Sequence, residues 1–137
     1  MPIRLYEDAD ESAVVGLWRE ALPDAAPHND PAAAIRKKVA VGDGLFFVAE
    51  VGGNVVGTVM GGYDGHRGWV YSVAVGAPYR RRGIGGALVR HLEAALAGRG
   101  CLKVNLQVRA SNAAVVAFYE GLGYGVEELI SMGKRLY

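Results

Sequence analysis

The sequence predicts one α/β domain of the α+β kind, a mixed sheet with helices on both faces. Three observations predict it. Short apolar strands and amphipathic helical stretches follow one another in the order β, α, α, β, β, β, α, β, α, β, with a further β in the tail. No internal repeat, long linker or low-complexity tract interrupts them. Finally, 137 residues of 51% apolar content are enough to hide about two thirds of the unfolded chain's surface in one core, so residues 1–137 are read as a single domain.

Residues 2–7, PIRLYE, alternate apolar and polar as a short strand. Asp10 offers an N-cap for DESAVVGLWREAL, in which Val14, Leu17, Trp18, Ala21 and Leu22 share a face and which Pro23 ends. After a polar loop, Asp30 and Pro31 place a cap and an N1 proline ahead of AAAIRKKVAV, which stops at Gly42. LFFVAEV at 45–51, the turn GGN and VVGTVMGGY at 55–63 read as a hairpin of half-buried strands, and WVYSVAV at 69–75 continues the meander after a second turn at 64–68.

From Gly83 the period changes. Ile84, Ala87, Leu88, Leu92, Ala95 and Leu96 form a helical stripe wide enough to cover a sheet face, and the third helix is placed at about 82–98. LKVNLQV at 102–108 alternates as a strand. Ser111 or Asn112 caps a last helix with Ala114, Val115, Phe118 and Leu122 inward and Gly123 as a left-handed C-terminal cap. The tail adds one or two strands.

Composition excludes several functions. With 15 Lys and Arg against 14 Asp and Glu, a formal charge of +1 gives no basic face for nucleic acid. One cysteine allows neither a disulfide scaffold nor a CxxC metal knuckle and points to the reducing cytoplasm. His28, His66 and His91 lack HxxxH or HxH spacing, so no metal is expected. MPIRLYEDADES lacks the apolar stretch of a secretory signal, and no window approaches the ~20 apolar residues of a membrane span, so no membrane partner is expected.

One segment breaks local rules without a structural gain. Arg80, Arg81 and Arg82 at a helix start oppose the macrodipole at ~0.3–1 kcal/mol each. Gly83, Gly85 and Gly86 weaken the first turn by roughly 1 kcal/mol each. A polyanion offsets both losses, because glycines admit it close to the backbone, first-turn N–H groups point at it, and guanidinium groups add charge-assisted bonds. The plain alternative is a solvated loop corner with a tight turn. A P-loop is excluded by the missing GxxxxGK[ST], and a Rossmann fingerprint fails because its third glycine falls at Leu88.

The string Arg80, Arg81, Arg82, Gly83, Ile84, Gly85 resembles the R/Q-x-x-G-x-G/A pyrophosphate loop of the GNAT family of acetyl-CoA dependent N-acetyltransferases. Val73, Ala74 and Val75 match the strand before that loop, and SNAAVVAFYEGLGY is similar to the family's last helix. NDP at 29–31, VAEV at 48–51 and GTVMGGYDGHRG at 57–68 are similar to small bacterial acetyltransferases of the YpeA type. The resemblance implies a mixed, mostly antiparallel sheet with a splay between the fourth and fifth strands, into which acetyl-CoA inserts as cosubstrate opposite an amine acceptor. It implies that Arg80, Arg81, Arg82, Gly83, Ile84, Gly85 and Gly86 cradle the coenzyme phosphates. It further implies that the backbone of Val73, Ala74 and Val75 pairs with pantetheine, that Asn112 touches the pantetheine arm, and that Tyr119 stands at the general acid.

Ordinary pKa values near 8.5 for a thiol and 10 for a phenol make full proton transfer from Tyr119 uphill by roughly 2 kcal/mol, so it is better described as a hydrogen-bond donor. In relatives that acetylate ribosomal N-termini a glutamate is expected where this chain has Gln107, leaving the base open among Glu50, Asp64, His66, Tyr71 and water. Cys101 reads as a small hydrophobe. Trp18, Phe46 and Phe47 read as core, although Phe47 and the helix face around Trp18 could border an acceptor pocket. A non-catalytic acetyl-CoA sensor and a transferase of longer acyl chains are the rival functions, and an exposed final strand could pair across a two-fold axis into a homodimer.

Overall fold

The computed structural model describes residues 2–23 and 26–137. It comprises β1 (Ile3–Leu5), α1 (Glu11–Ala21), α2 (Pro31–Val41), β2 (Phe46–Val51), β3 (Asn54–Tyr63), β4 (Gly68–Val75), α3 (Ile84–Ala97), β5 (Val104–Asn105) and α4 (Ala113–Glu120). Asp24 and Ala25 of the expected polar loop lie outside the described residues. Two compact units, Met1–Leu106 and Gln107–Tyr137, are described each by itself.

The first unit is a sheet in the order β1-β2-β3-β4-β5, antiparallel except for the parallel β4-β5 pair. Alternation along β2 and β3 sorts side chains to two faces. Leu45, Phe47, Ala49 and Val59 pack with Ile84, Leu88, Leu92 and Leu96 of α3. Phe46, Val48 and Met60 pack on the other face with Val14, Leu17 and Trp18 of α1 and Ile35 of α2. The hairpin strands read as half-buried are therefore buried on both faces from Phe46 to Ala49 and from Val56 to Met60, because helices cover each side. Gly52 and Gly53 both take positive φ, +58° and +79°, as a tight hairpin turn of the type I′ family requires.

Helix ends follow local chemistry. Asp30 caps α2 by accepting the Ala33 N–H at 3.1 Å, Pro31 opens the helix, and Gly42 closes it with φ +66°. Asp10 is not the cap expected of it. A 3-10 turn over Asp8–Asp10 puts it in the right-handed region, φ −82°, with no side-chain bond to the helix start. Its carboxylate instead receives both Nη atoms of Arg4, at 2.7 and 2.8 Å, and the Glu7 N–H at 2.8 Å. Leu22, expected on the buried face of α1, is exposed, and Ala21 is half-buried.

The second unit holds α4 and the tail. Asn112, not Ser111, caps α4, accepting the Val115 N–H at 3.3 Å. Gly123, φ +95°, ends the helical segment as a Schellman cap, with the Gly123 N–H on the Glu120 carbonyl at 3.0 Å and the Tyr124 N–H on that of Tyr119 at 3.1 Å. The inward face is not the one expected. Tyr119 is buried, Val115 and Leu122 are half-buried, and Ala114 and Phe118 are exposed. The tail forms no strand from Tyr124 to Tyr137, and the strand expected at 102–108 shrinks to Val104–Asn105. The final strand invoked for two-fold pairing is thus not formed.

The Arg4 guanidinium holds the Asp10 carboxyl below its usual range, with the Glu7 N–H helping and burial opposing. A lowered folded value stabilises the fold above the unfolded value of about 3.9, and that stability is lost as pH falls through the lowered value. Urea denaturation between pH 7 and 3 should show this loss in the native chain and a flatter profile in Asp10→Asn. Arg4→Met should cost about 1–2 kcal/mol at pH 7.

Candidate functional site

β4 enters the sheet with a partner on each edge and leaves it with one. Its ladder with β5 runs through Gly68–Val104 and Trp69–Asn105 and stops, whereas pairing with β3 continues to Val75. Residues 70–75 therefore pair along one edge, which is the splay expected between the fourth and fifth strands. The paired end is tight: a Cβ on Gly68 would meet Cys101 Sγ at 2.8 Å and Leu96 Cδ1 at 3.0 Å. Cys101 packs against the α3-side core, in keeping with its reading as a small hydrophobe.

Within the singly paired stretch β4 is bulged. Thr58 faces Ala74 and Met60 faces Tyr71, so Ser72 and Val73 both stand against Val59. Ser72 has φ +48°, where such bulges usually carry glycine, and a side chain there costs about 1–2 kcal/mol. Val73 and Val75 pack toward α3 while Ala74 is buried toward α1. Their side chains are committed to core, and what this stretch offers a ligand is main chain.

Beyond Val75 the Gly76 N–H bonds the Val56 carbonyl at 2.8 Å, and a 3-10 turn over Ala77–Tyr79 redirects the chain. Arg80 donates from Nε to the Val75 carbonyl at 2.9 Å, and the Arg82 guanidinium carbon lies 5.5 Å from the Tyr79 ring centre. Arg81 and Gly83 take φ +63° and +76°. Gly83 stands left-handed directly before the right-handed first turn of α3, an alternation that gathers successive N–H groups into an anion-binding concavity.

α3 then begins with no side-chain cap and no acidic residue in its first turn. The Ala87 N–H bonds back to the Gly83 carbonyl at 3.0 Å, and the N–H groups of Ile84, Gly85 and Gly86 precede it. α2 and α4, by contrast, have side-chain caps, Asp30 and Asn112. The helix starts at Ile84 rather than near 82 because Gly83 turns left-handed, so the three arginines sit in the loop before the first turn, exposed, and not on it. The loop, Gly85, Gly86 and the 73–75 stretch of β4 are brought together in the first unit. Asn112 and Tyr119 belong to the second.

Tyr119 meets Phe118 and Tyr124 edge-on, with ring centres 4.9 and 5.7 Å away. Burial pushes its phenol up to about 12, so it keeps its proton at neutral pH. Gln107 donates from Nε2 to the Ser131 hydroxyl.

The base candidates are scattered. Glu50 Oε1 accepts Arg4 Nε at 2.8 Å and Nη2 at 2.6 Å. Asp64 Oδ1 accepts the N–H groups of Arg67 and His66, each at 2.8 Å, and these bonds hold its carboxyl below the usual range. His66 is exposed in the same turn. Tyr71 is about half exposed, and burial of the rest raises its phenol. Phe47 packs against the His91 ring, centres 4.5 Å apart, and is core of the α3 face, which removes it as a pocket wall. Among the described residues no three His, Cys, Asp or Glu gather as metal ligands.

Sequence reasoning gave no role to Thr58 or Ser72 and read Trp18, which is core, without its hydrogen bond. Thr58 is fully buried inside an apolar run, Trp18 donates to it, and Ser72 carries the bulge. The available signal was Thr58 itself, a polar residue where the strand admits only apolar ones. A hydroxyl there needs partners.

Comparison with known proteins gives the class. The acetyltransferase (GNAT) family matches residues 9–124. An acetyltransferase of Pectobacterium atrosepticum is 47% identical over 136 residues, 99% of this chain and 96% of the relative, and one of Yersinia pseudotuberculosis is 46% identical over the same shares. Ard1 of Thermoplasma volcanium superposes with a TM-score of 0.82 at 26% identity over 92% of this chain and 83% of that one. The aminoglycoside N-acetyltransferase AAC(6')-Iy, solved in complex with CoA, has the same fold, TM-score 0.82 at 17% identity over 99% and 95%. The chain belongs to the GNAT family of acetyltransferases. Its relatives at this level of identity are small bacterial acetyltransferases matched nearly end to end.

Alkaline titration followed by phenolate absorbance should lose one phenol titrating near pH 12 when Tyr119 becomes Phe. Loss of a phenol titrating near 10 would contradict its burial.

Proposed function

We propose that this chain moves the acetyl group of acetyl-CoA to a primary amine by direct attack, the amine belonging to a small molecule or a protein. The observation that carries the reading is the continuous run from the singly paired edge of β4 through the arginine loop to the uncapped start of α3. A diphosphate suits that helix start, where free N–H groups open a first turn without an acidic residue and the exposed arginines of the preceding loop supply charge-assisted donors. The main chain of Val73, Ala74 and Val75 suits the extended amide chain of pantetheine, which pairs as a strand does. The same fold solved with CoA in an aminoglycoside acetyltransferase supports this choice of cosubstrate. A single reduced thiol fits action in the cytoplasm, and among the described residues no helix is long and apolar enough to cross a membrane.

In the reaction the amine nitrogen forms a bond to the thioester carbonyl carbon, the carbon–sulfur bond breaks, and the amine proton passes to water. A main-chain N–H near Val73 to Val75 stabilises the tetrahedral oxyanion. Tyr119, at the position of the family's acid, acts by hydrogen bond toward the departing sulfur. Its phenol near 12 against a thiol near 8.5 makes complete transfer uphill by roughly 5 kcal/mol. Asn112 caps α4 and has a contact to the pantetheine arm as its second role.

Arg80→Ala with Arg82→Ala should raise the calorimetric Kd for CoA about tenfold or more at unchanged Tm, since both side chains are exposed. Thiol release from acetyl-CoA across a panel of amino acids, polyamines, aminoglycosides and peptides should rise with at least one amine. CoA binding without release by any amine would instead favour a sensor, and product mass spectrometry with longer acyl-CoA thioesters separates the remaining rival.

A further inference from the structure

A buried hydrogen-bond chain crosses three elements and ends on the bulge of β4. The Trp18 indole N–H on α1 donates to Thr58 Oγ1 on β3 at 2.8 Å, and Thr58 Oγ1 donates to the Ser72 carbonyl at 2.9 Å. Its direction is forced. Indole nitrogen only donates, so the Thr58 oxygen must accept from it and its single proton goes to the carbonyl. Thr58 is 0% and Trp18 4% exposed, so solvent does not replace either bond. The residue so held is Ser72, a non-glycine residue at φ +48°, whose bulge sets the register in which the following residues Ala74 and Val75 pair with Thr58 and Gly57.

We propose that Thr58 and Trp18 are positioning residues for acetyl transfer: through the Ser72 carbonyl they lock the β4 bulge, and with it the main-chain N–H that faces the thioester oxygen. The inference rests on the acetyl-transfer reading above. It makes the chain Trp18–Thr58–Ser72 a determinant of turnover more than of coenzyme affinity, because the charge-assisted phosphate bonds assigned to residues 80–86 outweigh the neutral main-chain pairing of Val73 to Val75 with pantetheine. A glycine at 72 would adopt the left-handed backbone without a clamp, so the need for the hydroxyl depends on the serine.

Steady-state kinetics with the best amine of the panel, alongside calorimetry with CoA, tests this in Thr58→Val, Thr58→Ser and Thr58→Val with Ser72→Gly. Thr58→Val should lower kcat about tenfold to a hundredfold with the Kd for CoA within about twofold. Thr58→Ser should retain most of kcat, and Ser72→Gly should restore part of what Thr58→Val loses. A folded Thr58→Val with native kcat overturns the proposal, as does a parallel loss of CoA affinity or a double variant no better than Thr58→Val. If Thr58→Val does not fold, Trp18→Phe takes its place with the same expected split. If the native chain binds CoA but acetylates no amine, the acetyl-transfer reading fails by itself. Amide hydrogen exchange over residues 71–75 then decides the clamp: faster exchange in Thr58→Val supports it and unchanged exchange overturns it.

Discussion

The half-paired state of β4 governs the rest of the structure. A strand in the interior of a sheet normally satisfies both edges, yet β4 shares its β5 edge for two residues only, Gly68 and Trp69. Main-chain polar groups that lack a ladder must find other partners, and the stretch concerned runs directly into the arginine loop. Its side chains cannot serve as those partners, since Val73, Ala74 and Val75 point into the two cores. The fold therefore spends its packing on both faces of the sheet and leaves one backbone edge to chemistry.

Everything flanking that edge reinforces its position. α3 covers one face with Ile84, Leu88, Leu92 and Leu96, which fixes the helix axis and so the direction of its first-turn N–H groups. α1 covers the other, and Trp18 reaches through to Thr58. The rim is braced by ion pairs: Arg4 bridges Asp10 and Glu50, and Lys38 joins Asp43 while donating to the Gly61 carbonyl. These partly buried pairs tie β1 to β2 and α2 to β3, and none of them draws on the guanidinium groups of the arginine loop.

Much of this was legible in the sequence because it follows from periodicity and from residues with one dominant role. The α3 stripe, the Asp30–Pro31 helix start and the glycine-rich loop behind three arginines were all readable locally. What escaped depended on partners distant in sequence. Asp10 looked like a cap until Arg4, on the neighbouring strand, claimed it. Burial on both faces of β2 and β3 requires two helices whose docking no strand pattern encodes. On α4 the pattern pointed to Ala114 and Phe118, whereas Tyr119 is the buried residue, since a short, almost wholly apolar helix has no unique stripe. The tail's apolar residues, Val126, Leu129 and Ile130 among them, suggested strands, but they stand exposed and unladdered.

The most direct test is a crystal structure of the chain with CoA. The account predicts diphosphate oxygens within hydrogen-bond reach of the amides opening α3, with the pantetheine amides laddered onto the free edge of β4. A diphosphate seated away from that helix start, with the β4 edge solvated, would contradict it.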